Sequence, residues 1–553
     1  MGGNIAGKIA GNWFHRGLQL LFMGCVTGFL AGVVVTFYNI CVSLAEGFST
    51  DLYAYVREHW FLVPVLLAAL AAVALLIGVL VQLVPMVRGS GIPQTEGAAR
   101  GILKYNPFVT LCSMFAASLL CVFAGMSAGG EGPSIQIGGM CGYGPSRLFS
   151  RTDMLRRYQI TGGGCAGLAV AFNAPLTGMA FAFEETHKKF SPEVFICAFS
   201  SVVTGVVTRN LIRGGLGLGT GAAFSSFAFA EIAYPYAAYG YILLAAFVCA
   251  LCGVIFFHTV KGLKKVMEEK VTFLSGAGRM LIPFLLAGVF GLVTVYAMGG
   301  GHALIEALGT QGGATEMSLQ ESFSLGLAGT LALALLFKFA ASVVNMSCGV
   351  PCGVFIPMLA IGAAAGALLS LFMQEFLGMD ASYSDLIVMV SLASFFTCVV
   401  RAPITGVVMV VELTWSFTPL LPVVLGVAVG YMVGQAAGTE PIYEYMLGRI
   451  VEERGVRPEH LSRSFLVRAH SIVSDMTVKD VLWPAGAAVK ALSRGEESIV
   501  PGADTVLRAG DVITVDAETP DPAATERELC LLTGNPPPRK APKNKKKRRS
   551  DAC

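Results

Sequence analysis

The sequence predicts an all-α polytopic membrane protein with a small α+β domain at its C-terminal end. Three observations carry that prediction. Only 14% of the 553 residues are charged, while 54% belong to the AVILMFWYC set; a soluble domain carries about 25% charged residues because its surface faces water. Leu18–Leu44 and Phe61–Val84 each run without a charged side chain, past the roughly 20 residues that span a hydrocarbon core as a helix. Near Gly438 the composition turns from apolar segments to charged, mixed-polarity ones.

These shifts divide the chain into an N-terminal segment (1–12), a transport-sized membrane domain (13–449), a soluble domain (451–534) and a basic tail (535–553). The first span is too long for the 7–15-residue core of a cleaved signal, and no A-x-A site ends it. Most of the 14 cysteines lie in apolar runs, Cys25, Cys121 and Cys249 among them, where a thiol behaves as a small hydrophobe. Paired CxxC sets and zinc-spaced histidines are missing, so neither a metal nor a cofactor is expected. In the soluble segment, Ser498–Val500 and Val512–Val515 read as short strands and Pro522–Leu532 as a helix. The dense basic run Arg539–Arg549 is expected to be solvated or drawn to anionic lipid on the cytoplasmic face.

Inside the membrane domain the apolar runs are repeatedly broken by Gly and Pro, at Gly89–Pro93, Gly125–Pro133, Ser347–Pro357 and Arg401–Gly406. Backbone left unbonded in lipid is costly, so such breaks must be buried in protein or line a polar path. Transporters use them to point helix N-termini at anions. The breaks also repeat. Gly129–Gly138 aligns with Gly353–Gly362 at an offset of 224, sharing the first Gly, the Pro and the last Gly. Asn173–Gly178 aligns with Arg401–Gly406 at an offset of 228, and Glu184 then matches Glu412. Duplicated halves meeting at a midplane site are a recurring transporter plan, whose relative orientation sequence alone leaves open.

Ionisable groups within such segments are functional candidates by default. Glu131 sits between glycines just before Pro133, at the start of an expected helix Pro133–Met140. A carboxylate there competes for the place an anion would take, because free N–H groups and the helix dipole favour negative charge. Protonation removes that attraction, so one residue can gate the path and carry a proton; a plain helix cap is the structural alternative. Glu185 closes the apolar run Met179–Phe183, where proton relay and interfacial placement are both open. Glu96 and Glu412 read as ion-pair or capping residues. The second break carries no anion-binding side chain, but the backbone amides of a helix starting at Phe355 or Ile356 would serve, and Ser90 adds a hydroxyl between two glycines. Gly125–Gly129 fits the hydrolase pattern G-x-S-x-G, but a transmembrane helix entering a Gly-rich break is not the strand-to-helix context that motif needs. The chain is therefore not expected to be an enzyme.

These residues resemble the CLC family of chloride channels and chloride/proton antiporters. Gly89-Ser90-Gly91-Ile92-Pro93 is similar to the family's GSGIP, Gly129–Pro133 to its GxEGP, Gly353–Pro357 to its GxFxP, and Ala171–Pro175 to its helix start after the first filter. The resemblance implies an antiparallel two-repeat fold of tilted, broken helices and a homodimer with one pathway per subunit. It implies that Glu131 is the external gating glutamate and that Glu185 is the internal proton-transfer glutamate of exchangers. It further implies that Ser90 and Tyr443 donate hydroxyls to a central chloride, with Val354 and Phe355 supplying backbone amides. Gly130 departs from the pattern, since many members carry Arg or Lys there. Glu496–Asp516 with the following helix resembles the C-terminal lobe of RCK/TrkA regulatory domains rather than paired CBS domains, which implies a prokaryotic inner-membrane protein with a small-molecule regulator. The expected function is chloride/proton exchange in contact with membrane lipid, without nucleic acid. A passive anion channel and a ligand sensor with a membrane anchor are the alternatives, and Ser90 disfavours fluoride.

Overall fold

The computed structural model describes residues 2–149, 153–186, 191–221, 223–229, 234–271, 276–309, 326–453, 459–469, 471–484, 486–519 and 521–536, with side chains from residue 17 onward except 145, 147–149 and 153. The basic run Arg539–Arg549 lies outside these residues.

The first half comprises α1 (Gly2–Glu58), α2 (Val63–Leu83), α3 (Ile92–Ala99), α4 (Pro107–Phe123), α5 (Glu131–Phe149), α6 (Asp153–Phe172), α7 (Pro175–Phe181) and α8 (Pro192–Gly215). The second comprises α9 (Tyr236–Glu269), α10 (Leu281–Val293), α11 (His302–Ala307), α12 (Gly326–Cys348), α13 (Phe355–Leu377), α14 (Ser384–Val400), α15 (Pro403–Thr414), α16 (Leu420–Ala436) and α17 (Ile442–Glu453). Among the described residues, seven helices are long and apolar enough to cross a membrane. Proline occupies the first or second position of α2, α3, α4, α7, α8 and α15, where its missing N–H would have no intrahelical partner anyway.

The aligned segments adopt matching conformations. Asn173 and Arg401 both take left-handed backbone, at φ 57° and 70°, a cost for residues with a Cβ that recurs at the aligned position. The following cap residues Ala174 and Ala402 share ψ 80°. A π turn, Ala182–Thr186, follows α7 and presents Glu184. Its carboxylate accepts the N–H groups of Ile404 and Thr405 and the Thr405 hydroxyl, each at 2.7 Å. Glu412 does the same for Leu176, Thr177 and the Thr177 hydroxyl, also at 2.7 Å. Each repeat's carboxylate caps the other's helix, which sets α7 and α15 side by side and antiparallel. Glu412 is thus a cap, as its sequence position suggested.

The C-terminal sheet is antiparallel in the order β1-β4-β2-β3, with β1 (Glu459–Leu466), β2 (Ala487–Arg494), β3 (Glu497–Ile499) and β4 (Val512–Thr519), closed by α18 (Pro522–Thr533). Two strands escaped sequence reading. β1 alternates weakly and carries Arg463 on an exposed face, and β2 holds three alanines and Lys490, residues depleted in strands. In consequence β3 pairs with β2 rather than with β4. Asp511 fixes the turn before β4. Burial works against its ionisation, but the Arg494 fork, bonded at 2.8 Å through both oxygens, and the Arg508 N–H at 2.8 Å outweigh burial and hold it below the usual carboxylate range.

Replacing Glu184 or Glu412 by Ala removes a charged double cap, and each is expected to cost about 1–2 kcal/mol, measured as thermal unfolding of the detergent-solubilised chain. For Asp511 the depressed folded value means that its stabilisation is present above about pH 3.9, the unfolded value, and is lost as pH falls through the folded one. Hydrogen exchange in β4 is therefore expected to stay slow down to about pH 4 in the parent chain and to be faster in Asp511→Asn already at neutral pH.

Candidate functional site

The helix breaks converge. Gly129 and Gly353 form an isolated antiparallel bridge, each donating its N–H to the other's carbonyl at 2.8 Å. The Gly89 N–H reaches the Gly349 carbonyl at 3.1 Å. A Cβ on Gly132 would overlap the Ser90 carbonyl and come within 3.0 Å of Gly353 Cα. The starts of α3, α5 and α13 therefore meet at one place, and only glycine lets them approach so closely. Gln136 Nε2 donates to the Met86 carbonyl at 2.8 Å, and Gln94 Nε2 donates to that of Arg88. Both bonds pin the loop that holds Ser90.

α5 begins at Glu131 itself, two residues earlier than the sequence suggested, because Pro133 sits comfortably within a first turn. The Glu131 side chain is buried and folds back over Gly129, where an added Cβ would overlap Oε2. α13 begins at Phe355, and its first N–H groups have no acceptor within the helix. The Phe355 ring is held between Phe172 and Phe396, with centroids 5.4 and 4.9 Å away. Tyr443 is fully buried at the start of α17, and its hydroxyl has no hydrogen-bond partner among the described residues.

Glu185 is only 2% exposed. The Arg100 guanidinium donates to its carbonyl and to that of Thr186, both at 3.2 Å, and pairs with the Glu96 carboxylate; Glu96 is thus an ion-pair residue. A cleft at the Ser90 loop is lined also by Arg88, Lys264, Val354 and Glu453. Within its lining Glu453 pairs with Arg88 at 2.7 Å and with Lys264 at 3.9 Å.

Sequence reading missed a further break, Gly299–Gly301. The Ala128 N–H donates to the Gly299 carbonyl at 3.0 Å, and the Gly300 N–H to Glu46 Oε1 at 3.1 Å. Lys338, fully buried in α12, donates to the carbonyls of Met298 and Gly299 at 3.0 and 2.7 Å. His302, next in sequence, stands 3.5 Å from Glu131. The three consecutive glycines after an apolar run were the signal for this break.

Such a constellation defines a polytopic membrane protein whose broken helices aim their N-terminal backbone at a common internal point, with the buried Glu131 carboxylate at it. Residues 73–435 match the family described as voltage gated chloride channel, and residues 463–529 match the TrkA-C domain. The chain belongs to the voltage gated chloride channel family and carries a TrkA-C domain after its membrane part. It is 28% identical over 455 residues to the H(+)/Cl(-) exchange transporter ClcA of Vibrio parahaemolyticus, covering 80% of this chain and 92% of that one. ClcA of Salmonella agona is 28% identical over 451 residues, covering 79% and 90%. Among solved structures, a slow cyanobacterial Cl-/H+ antiporter has a TM-score of 0.69 at 24% identity, covering 79% of this chain and 99% of that one. A CLC-type fluoride/proton antiporter reaches 0.61 at 21% identity, covering 77% and 96%.

Gly132→Ala is expected to push the Ser90 loop off the bridge and cut anion flux in liposomes by about tenfold or more, since it forces apart backbone that larger residues cannot share. Gly144→Ala, on the same helix with open space around its Cα, serves as the control.

Proposed function

We propose that this chain exchanges chloride for protons across a membrane. The observation that carries the reading is the position of Glu131, in the first turn of α5 and folded over the Gly129–Gly353 bridge beside the α13 amides. As a carboxylate it occupies the place a chloride would take among these N–H groups. When protonated it loses that attraction and leaves, carrying the proton. Chloride then lies among the Ser90 hydroxyl, the Tyr443 hydroxyl and the backbone of Val354 and Phe355. The relatives named as H(+)/Cl(-) exchange transporters support this chemistry.

Glu185 serves the other end, exchanging protons with the side that bears the C-terminal domain. Burial makes a fixed charge expensive there, which favours a carboxyl that takes up and releases a proton. Arg88 and Lys264 lend the cleft beneath Ser90 a positive potential that draws anions inward. The protein works as a homodimer in a bacterial inner membrane, with the TrkA-C domain in the cytoplasm beside anionic lipid, where a small molecule regulates it. A mere membrane anchor for that domain would need neither the converging breaks nor the buried carboxylates.

Reconstituted chain under an imposed chloride gradient is expected to drive protons uphill. Glu185→Gln should abolish that proton movement while chloride still flows; Glu131→Gln should abolish it as well and leave chloride flux insensitive to pH. Chloride flux with no proton movement in the parent chain would make the protein a channel.

A further inference from the structure

We infer that His302 passes protons to and from Glu131 on the side of the membrane opposite the C-terminal domain. The inference rests on the exchange reading above and adds to it the route by which Glu131 reaches water.

Glu131 is almost enclosed, its side chain only 8% exposed, whereas the His302 side chain 3.5 Å away is 38% exposed. The imidazole thus spans the step between solvent and buried carboxylate. Its Nε2 lies just beyond direct hydrogen-bond reach of Oε1, a gap that a small ring rotation or one water closes. The ring's place is fixed by the backbone before it. Gly299–Gly301 is tied to Ala128, Glu46 and Lys338, and the ring leans on Phe224 with centroids 5.8 Å apart.

The side of the membrane follows from α5. Its 19 residues span about 28 Å. At the far end the chain enters α6, whose Arg157 donates to the Leu482 and Trp483 carbonyls of the C-terminal domain at 3.3 and 3.0 Å. Glu131, with His302 3.5 Å away, therefore sits at the end of α5 away from that domain.

The charges around the ring are Glu131 from α5, Glu46 from α1, Lys338 from α12 and Glu306 on its own helix. Of these, Glu306 is engaged by the Ser225 N–H at 3.0 Å. Three carboxylates, Glu46, Glu131 and Glu306, stand against one buried ammonium, so an imidazolium sits in a net negative setting. Position 130 offers no cation, being glycine. A guanidinium would hold its proton at any working pH, whereas an imidazole releases and regains one between about pH 5 and 8. In the forward step the Nε2–H bond breaks and the proton bonds to Oε1, leaving neutral imidazole and a neutral carboxyl. The reverse step returns the proton, and water recharges the ring.

The test is coupled proton and chloride flux of the full chain in liposomes at a series of pH values. The parent chain should show an inflection between about pH 5 and 8. His302→Gln, which keeps a polar side chain but cannot titrate, should lower coupled flux by about tenfold or more and remove the inflection. In a Glu131→Gln background the same substitution should leave chloride flux as that background sets it, which also shows that the protein has folded. His302→Lys should be as slow as His302→Gln, because it supplies charge without releasing a proton. The proposal is overturned if His302→Gln keeps the parent's rate and pH profile, if His302→Lys restores full rate, or if His302→Gln slows chloride equally in the Glu131→Gln background. No proton movement in the parent chain would instead remove the exchange reading itself.

Discussion

The site is organised around the paired Gly129–Gly353 bridge, two mutual backbone hydrogen bonds between breaks that belong to different halves of the chain. In a low-dielectric interior an unbonded N–H or C=O costs several kcal/mol, and the chain has broken its helices where water is scarce. Pairing the two breaks with each other satisfies both without a side chain. It also leaves the N–H groups of the following turns of α5 and α13 unspent, and these are what an anion can use. Glycine at both positions follows from the closeness of the two strands, since a Cβ on Gly353 would come within 2.5 Å of the Gly129 carbonyl oxygen.

Other helix starts are resolved differently, and the contrast separates structure from function. At α7 and α15 the free N–H groups are consumed by Glu412 and Glu184. Those helices hold the repeats together and are closed to ligands. At α5 the nearest carboxylate is Glu131 itself, which is covalently part of the helix start and rests over the adjoining glycine. A cap that belongs to another element stays, whereas one on a single flexible side chain can leave. The π turn accomplishes a similar separation for adjacent residues. Within Ala182–Thr186, Glu184 reaches across to cap α15 while Glu185 turns into the buried interior.

Most of the membrane architecture was legible because lipid constrains composition so strongly. Spans, breaks and the internal repeat all follow from where charge is missing and where Gly and Pro interrupt. Glu131, Ser90 and the 353–357 break could be singled out for the same reason. Tyr443 required the family resemblance, since a tyrosine four residues past Thr439 has no local signature of its hydroxyl's orientation. Gly299 and Gly301 repeat Gly89 and Gly91 at an offset of 210, with the same left-handed backbone before a short helix, a third repeat match that was passed over; His302 was missed because its contact with Glu131 joins residues 171 positions apart. The β1 and β2 strands were unreadable for a different reason: their alternation is blurred by polar residues on an exposed sheet face, so burial pattern and propensity disagree.

The soluble domain is joined to this machinery by buried polar contacts rather than by a tether alone. Arg157, almost fully buried, pairs with Glu528 of α18 at 3.6 Å and donates to the Leu482 and Trp483 carbonyls. Its Nε donates at 2.9 Å to Ala99, the last residue of α3. That same helix begins beside Ser90 and continues into Arg100, which holds the Glu185 carbonyl. One guanidinium thus bridges the TrkA-C domain and the short helix that lies between the Ser90 loop and Glu185. A buried cation stripped of acceptors is strongly destabilising, so the domain's docked position and the placement of α3 are energetically linked. Whatever shifts the domain must either carry α3 with it or leave Arg157 short of partners, and α3 is only eight residues long. Arg157 is thus the shared partner of the domain and of the C-terminal end of the helix that starts beside Ser90.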